Sequence, residues 1–400
     1  MPELHFSVAA PEQLPDSELF FNTLFSETAS APEKEITTES VPWGSLWQYI
    51  QTKTISRTGL DVSEVGSSWI GSLADASALR PFTEDEVVGL GGRGQFSPSA
   101  WERAGLVNDN RIYSIPWLTD TRVIYYWNDM LRSAGLDGAT AFKNSEQLSW
   151  SLAKLHETRG PSWGVPTFAC NNTVHHIASW LWDREVDFVS ADASRTAFSA
   201  SEAISAISAY FELFKFMPGS FDSFGALSKA FMSRQLAVVM DGPWLLSGLM
   251  KDKTVSDKLS GLRIALPPGA PFLGGSNLVV WKYIDDEKVT SAMALIRELL
   301  TPRTQSTVCN KTGLLPVRME MLLNPPFTTD INYSTLIEAE QRGRHLPRIA
   351  MWGPIENSLV QAFGRVWQVL MTGKCRSVEE VLKRALDPLA KRFDTLMSIF

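Results

Sequence analysis

Gly89, Gly91 and Gly94 spell G-x-G-x-x-G, the spacing with which a backbone can cradle a dinucleotide pyrophosphate. That chemistry needs a strand before the glycines, a helix after them and an acid about 20 residues on. Here only the short pair Val87-Val88 precedes, and Arg93, Gln95 and Pro98 follow, so the spacing predicts a flexible loop. Ser151-Leu-Ala-Lys154 and Lys311-Thr312-Gly313 match the S-x-x-K and K-T-G pair of penicillin-binding acyl transferases. The polar triad between them is missing, because Tyr126-Trp127-Asn128 precedes the serine; the polar face of a helix accounts for Ser151 and Lys154. His175 and His176 are adjacent, so on a helix they diverge and cannot chelate one ion. H-E-x-x-H does not occur. No catalytic, metal or cofactor motif survives its context.

The elements that position these residues alternate between strand and helix. Strands are expected over 4–9, 36–41, 62–66, 112–115, 123–127, 236–240 and 278–281. Helices are expected over 43–53, from about 69, over 129–134, through most of 145–216, over 291–300 and through the last 70 residues or so. Trp43, Trp47, Trp180 and Trp367 have apolar neighbours at helical spacing and read as core. Such alternation defines an α/β protein. The 400 residues carry 37 basic and 44 acidic side chains, a net charge of −7. That balance opposes nucleic-acid binding, which needs a basic footprint. Three cysteines cannot frame a disulfide or zinc scaffold. No run is apolar enough to span a membrane, and no secretory signal opens the chain as written. Tryptophans outnumber tyrosines, 14 to 7, so flat apolar faces with a single N–H donor are plentiful for cores and for binding clefts.

Five blocks carry more specific information. Ile112-Tyr-Ser-Ile-Pro-Trp-Leu-Thr-Asp-Thr-Arg122 continues through Tyr125-Tyr-Trp-Asn-Asp129 to Ala134-Gly-Leu136. Ser63-Glu-Val-Gly-Ser-Ser-Trp69 precedes it. Phe231-Met-Ser233 leading to Val239-Met-Asp-Gly-Pro-Trp244, Phe272-Leu-Gly-Gly-Ser-Asn-Leu278, and Gln305 with Thr312-Gly-Leu-Leu-Pro-Val-Arg318 follow. In this order the blocks resemble the extracellular solute-binding proteins of the carbohydrate-binding, maltose-binding-protein-like group. Glu185-Val186 and Ser233-Arg234 depart from the glycines many members carry there.

The resemblance implies a two-lobed periplasmic-binding-protein fold with three interlobe crossovers. One lobe would comprise 1–117 plus 268–314, the other 118–267 plus 315–400. Prolines and glycines near 116, 267–271 and 313–316 punctuate the chain at the expected crossings. A sugar, a di- or oligosaccharide, would lie between lobes that close by hinge bending, at the carboxyl ends of strands. The protein would deliver it to the permease of an ABC transporter, as a monomer at the periplasmic or extracellular face, with no cofactor, metal, nucleic acid or catalysis. The alternatives are a cytoplasmic sugar sensor and, from a different class, a sugar-acting enzyme. A pyranose asks for aromatic platforms and planar hydrogen-bonding side chains. Trp244, turned out of a strand end by Asp241-Gly242-Pro243, is the leading platform. Ser68 and Trp69 follow the third strand. Trp69 and Trp117 are open between ligand contact and packing. Asp120 and Asn277 would hold hydroxyls, and Gly275 would let backbone approach the ligand. Glu12 and Arg348 rest mainly on the resemblance. Asn172 and His175 are set aside.

Overall fold

The computed structural model describes residues 3–10, 16–26, 36–58, 60–106, 109–252, 256–373 and 377–399. The chain forms two compact units. One holds Met1–Asp120, Gly274–Asp330 and Arg348–Gly353; the other holds Thr121–Leu273, Ile331–Pro347 and Pro354–Phe400. The chain thus passes between units after Asp120, Leu273 and Asp330, and Arg348–Gly353 makes a short return to the first.

The described strands are β1 (Leu4–Ala10), β2 (Ile36–Pro42), β3 (Val62–Gly66), β4 (Ile115–Thr121), β5 (Val123–Trp127), β6 (Trp163–Gly164), β7 (Val238–Asp241), β8 (Leu262–Ala265), β9 (Leu273–Val280) and β10 (Leu315–Pro316). The first sheet runs β10-β4-β9-β3-β1-β2. Its β1 is parallel to β2 and β3, while β9 is antiparallel to β3, pairing Gly66 with Ser276. Side chains alternate between its two faces, because successive residues in a strand point opposite ways. Leu4, Phe6, Val8, Val62, Leu278 and Val280 join one buried cluster, with Phe21, Phe25 and Trp117. Ala9, Val65 and Val279 join the other, with Leu46, Ile50 and Trp281. The sheet is thus covered by apolar side chains on both faces.

The second sheet runs β6-β7-β5-β8. Its β6 is parallel to β7, and β5 is antiparallel to β7 and β8, with Val123 opposite Asp241 and Ile124 opposite Ala265. One end of this sheet therefore gathers the start of β5 and the carboxyl ends of β6, β7 and β8. The helix Asn171–Asp183 in the same unit is buried from Asn172 to Trp182.

Several local expectations change. Val87-Val88 is not a strand: it lies in the helix Glu84–Gly89, started by a Thr83–Glu86 capping box. The glycine motif thus follows a helix, where carbonyls rather than N–H groups are exposed, the wrong polarity for phosphate. Ser67 and Ser68 form a 3₁₀ turn with Trp69, and Trp69 rather than a serine is the N-cap of the helix Ile70–Asp75. The strand expected to stop at Pro116 instead runs through it, from Ile115 to Thr121, and its pairing with β10 involves only Leu118 and Thr119. Ser151 is buried and Lys154 sits over Trp150, so no acyl-transfer site forms there. Lys311-Thr312-Gly313 is a helix end, with Gly313 as its left-handed cap.

Gly275 has φ +129°, and a Cβ there would lie 2.2 Å from the Leu118 carbonyl oxygen. Its role is close packing of β9 on β4. Gly275→Ala should lower unfolding free energy by roughly 1–3 kcal/mol, the usual scale for backbone strain at such a conformation, read by urea denaturation.

Candidate functional site

In the second unit, polar side chains converge at the strand end just described. Arg122, next to the first residue of β5, is only 3% exposed. Its Nη2 donates to Asn172 Oδ1 at 3.0 Å and to His175 Nδ1 at 2.9 Å, and Nη1 donates to the Thr121 carbonyl at 3.1 Å. A guanidinium has no acceptor, so His175 Nδ1 must accept. The proton of a neutral His175 therefore sits on Nε2, which donates to Glu356 Oε1 at 3.2 Å. Glu356 also accepts from Asn171 Nδ2 at 3.0 Å. The His175 ring stacks on Phe272, centroids 3.9 Å apart and 6° from parallel. Asp241 Oδ1 accepts from the Gly242 N–H at 2.8 Å, and Asn172 Nδ2 reaches it at 3.5 Å. The neighbouring His176 is held well below its ordinary value by burial and by the charge of Arg122, so it stays neutral and serves packing with Tyr210.

Trp244 stands at the edge of this cluster. It lies in the first turn of the helix Pro243–Lys251 and is half-buried. The Arg122 guanidinium carbon is 4.6 Å from its ring centroid and 5.3 Å from that of Phe272. A Cβ on Gly242 would come within 2.3 Å of the indole, so the ring rests directly on this glycine and a larger residue there would displace it. Tyr125 Oη donates to the Gly242 carbonyl at 2.8 Å and fixes that turn. The result is a rigid, partly exposed indole beside buried polar groups that hydrogen-bond one another. Such a surface suits a ligand with an apolar face and hydroxyls.

The first unit presents its own residues after parallel strands. Trp43, directly after β2, is half-buried and stacks on Trp69, after β3, at 5.5 Å and 26°. Trp69 is 4% exposed and touches Trp47 from another side. Trp43 and Trp47, read as core, are thus only partly buried, and Trp43 is the outer ring of the stack; Trp180 and Trp367 are core. Ser68 is half-buried on the same turn.

The remaining expected contacts fall differently. Trp117, left open between ligand contact and packing, is a core residue: it packs against Phe6 and Phe21 and donates Nε1 to the Leu299 carbonyl at 3.3 Å. Asn277 is buried and donates Nδ2 to Ser114 Oγ at 2.8 Å, a bond inside the first unit. Arg348 is half-buried and ion-paired with Glu102 at 3.3 Å. Asp120 is half-buried at the end of the first unit's leading segment. Glu12 lies outside the described residues.

Sequence reasoning misses Arg122, Glu356 and Trp43 and sets His175 aside. Arg122 and Trp43 leave a trace in sequence: a lone cation inside the apolar block after Asp120, and an indole directly after Pro42 at a strand end. Nothing near Glu356 announces its partner His175, 181 residues away. Among the described residues no three His, Cys, Asp or Glu side chains gather as a metal ion would require. No described helix is long and apolar enough to cross a membrane.

Two α/β units, each presenting side chains after strand ends, define the class of two-lobed binding proteins. Residues 28–335 match the family of bacterial extracellular solute-binding proteins, and the chain belongs to that family. Solved structures agree on the fold over nearly the whole length. A solute-binding protein of an ABC transporter from Thermotoga lettingae TMO, bound with α-D-tagatose, is 18% identical with a TM-score of 0.80, covering 99% of this chain and 100% of that one. The maltose-bound MalE3 of T. maritima is 20% identical with a TM-score of 0.78, covering 98% and 100%. A solute-binding protein from Agrobacterium radiobacter K84 in complex with ribitol is 16% identical with a TM-score of 0.81, covering 98% of each. Relatives in Brucella abortus (strain 2308) and Brucella suis biovar 1 (strain 1330), named "putative binding protein", are 25% identical over 173 residues. That match spans 40% of this chain and 40% of theirs.

Proposed function

We propose that this protein binds a neutral sugar or polyol outside the cytoplasm and hands it to the permease of an ABC importer, acting as a monomer and without chemistry of its own. The observation that carries this reading is the half-buried indole of Trp244 beside Arg122, Asn172 and Asp241 at the strand ends of the second unit. The tagatose, maltose and ribitol held by the similar structures support the same ligand class. An indole covers the C–H face of a pyranose or the carbon chain of a polyol, and the polar groups answer its hydroxyls. The second unit's cluster holds two carboxylates, Asp241 and Glu356, and one guanidinium, Arg122, so with His175 neutral an acidic sugar would meet a net negative site.

The test is isothermal calorimetry with a panel of mono- and disaccharides and sugar alcohols, repeated on Trp244→Ala. Removing the indole should cost about 1.5–3 kcal/mol of contact, on the scale of a large apolar side chain. Affinity should then fall roughly 10- to 150-fold. Unchanged affinity in the variant, or no binding by the parent protein to any of the panel, would overturn the reading. Recovery of a chemically altered sugar after incubation would make the protein an enzyme instead.

A further inference from the structure

We propose that a surface groove of the second unit, centred on Trp150, is a separate, weak binding site for neutral saccharides. The groove has a volume of about 500 Å³, within the usual range for small-ligand pockets. It is lined by the turn after the helix Asn128–Ser133, by the short helix Gly138–Ala141 and by the start of the helix Ser145–Arg159. Trp150 forms one wall and is 51% exposed, a large apolar surface left to water. Lys154 Nζ lies 5.0 Å from its ring centroid.

The rest of the groove is polar. Asp137 Oδ1 is used by the Ala139 N–H and Asn144 Oδ1 by the Gln147 N–H, both as helix caps. Both side chains are exposed, so the second carboxylate oxygen and the amide NH₂ remain for water or a ligand. Gln147 adds a second amide, and Lys143 balances the charge of Asp137. One flat aromatic wall with planar donors and acceptors suits a neutral sugar ring: C–H groups against the indole, hydroxyls on the amides and carboxylate. A protein partner would ask for a wider apolar patch than one indole. The groove lies wholly within the second unit, and none of its residues belongs to the Trp244 cluster.

The experiment labels the full chain with 5-fluorotryptophan and follows ¹⁹F resonances during titration with maltose, cellobiose and trehalose. Trp150→Phe and Trp244→Phe assign the two signals. The Trp150 signal should shift saturably with a dissociation constant in the roughly millimolar range. Gln147→Ala, which leaves the indole in place, should weaken that shift at least threefold. A Trp150 signal that stays still, or drifts linearly, with all three sugars at on the order of 50 mM overturns the proposal. So does a shift that depends on protein concentration alone, which would mark a contact between two copies of the chain. The Trp244 signal reports separately on the site under Proposed function, so either assignment can fail while the other stands.

Discussion

Trp117→Ala should be among the most destabilising single changes in the first unit, lowering unfolding free energy by about 3–5 kcal/mol, as buried tryptophan truncations do. The indole is 1% exposed, with its centroid 5.9 Å from that of Phe21 and 6.3 Å from that of Phe6. It donates to the Leu299 carbonyl, while Gln305 Nε2 donates to the Trp117 carbonyl at 2.7 Å. The substitution therefore opens a cavity and leaves a buried carbonyl short of its donor. Ligand affinity, measured by calorimetry well below the melting transition, should stay within roughly twofold of the parent, since the folded site is untouched. The pattern is the reverse of Trp244→Ala, where affinity falls and stability changes little. A Trp117→Ala protein with normal urea stability and lost affinity would return this residue to the ligand.

Glu64→Gln should make the protein more stable at pH 8, with the gain vanishing in acid. The carboxyl is 3% exposed on β3; burial raises its pKa to about 7, partly offset by hydrogen bonds from the Ser276 side chain and the Ala9 N–H. A raised acid binds its proton more tightly folded than unfolded. Its contribution is therefore fully favourable below about 4.5, the ordinary value for a glutamate, and is lost as pH climbs towards 7. At pH 8 the parent protein holds a buried carboxylate costing on the order of 3 kcal/mol, since each tenfold change in proton affinity is worth about 1.4 kcal/mol. Glutamine keeps an oxygen for the Ala9 N–H and carries no charge. Urea midpoints of the two proteins should nearly coincide at pH 4 and separate steadily up to pH 8. Parallel curves across that range would mean that Glu64 titrates near its ordinary value.

The legible part of this protein is local. The alternation of Leu4, Phe6 and Val8, the chain reversal at Asp241-Gly242-Pro243, and the crossover block from Ile112 to Leu136 each depend on near neighbours and on backbone sterics. Strands, helices and their family arrangement could thus be read directly. Burial resisted the same reading. Trp117 and Trp244 both follow a proline, yet the first is enclosed by Phe6, Phe21 and Leu299 while the second rests half-open on Gly242. Trp43 and Trp180 both sit in helices among apolar residues, yet one is the outer ring of a stack and the other is core. Adjacent residues cannot distinguish these cases, because what covers a side chain is supplied by segments far away in sequence. The same holds for chemistry. Arg122, Asn172, His175 and Glu356 are drawn from well-separated stretches, and no spacing rule links them. The sequence determined which elements form and which family they build. Only the tertiary structure decided which tryptophans face a ligand and which polar groups meet, because packing across long sequence separations sets exposure and hydrogen bonding.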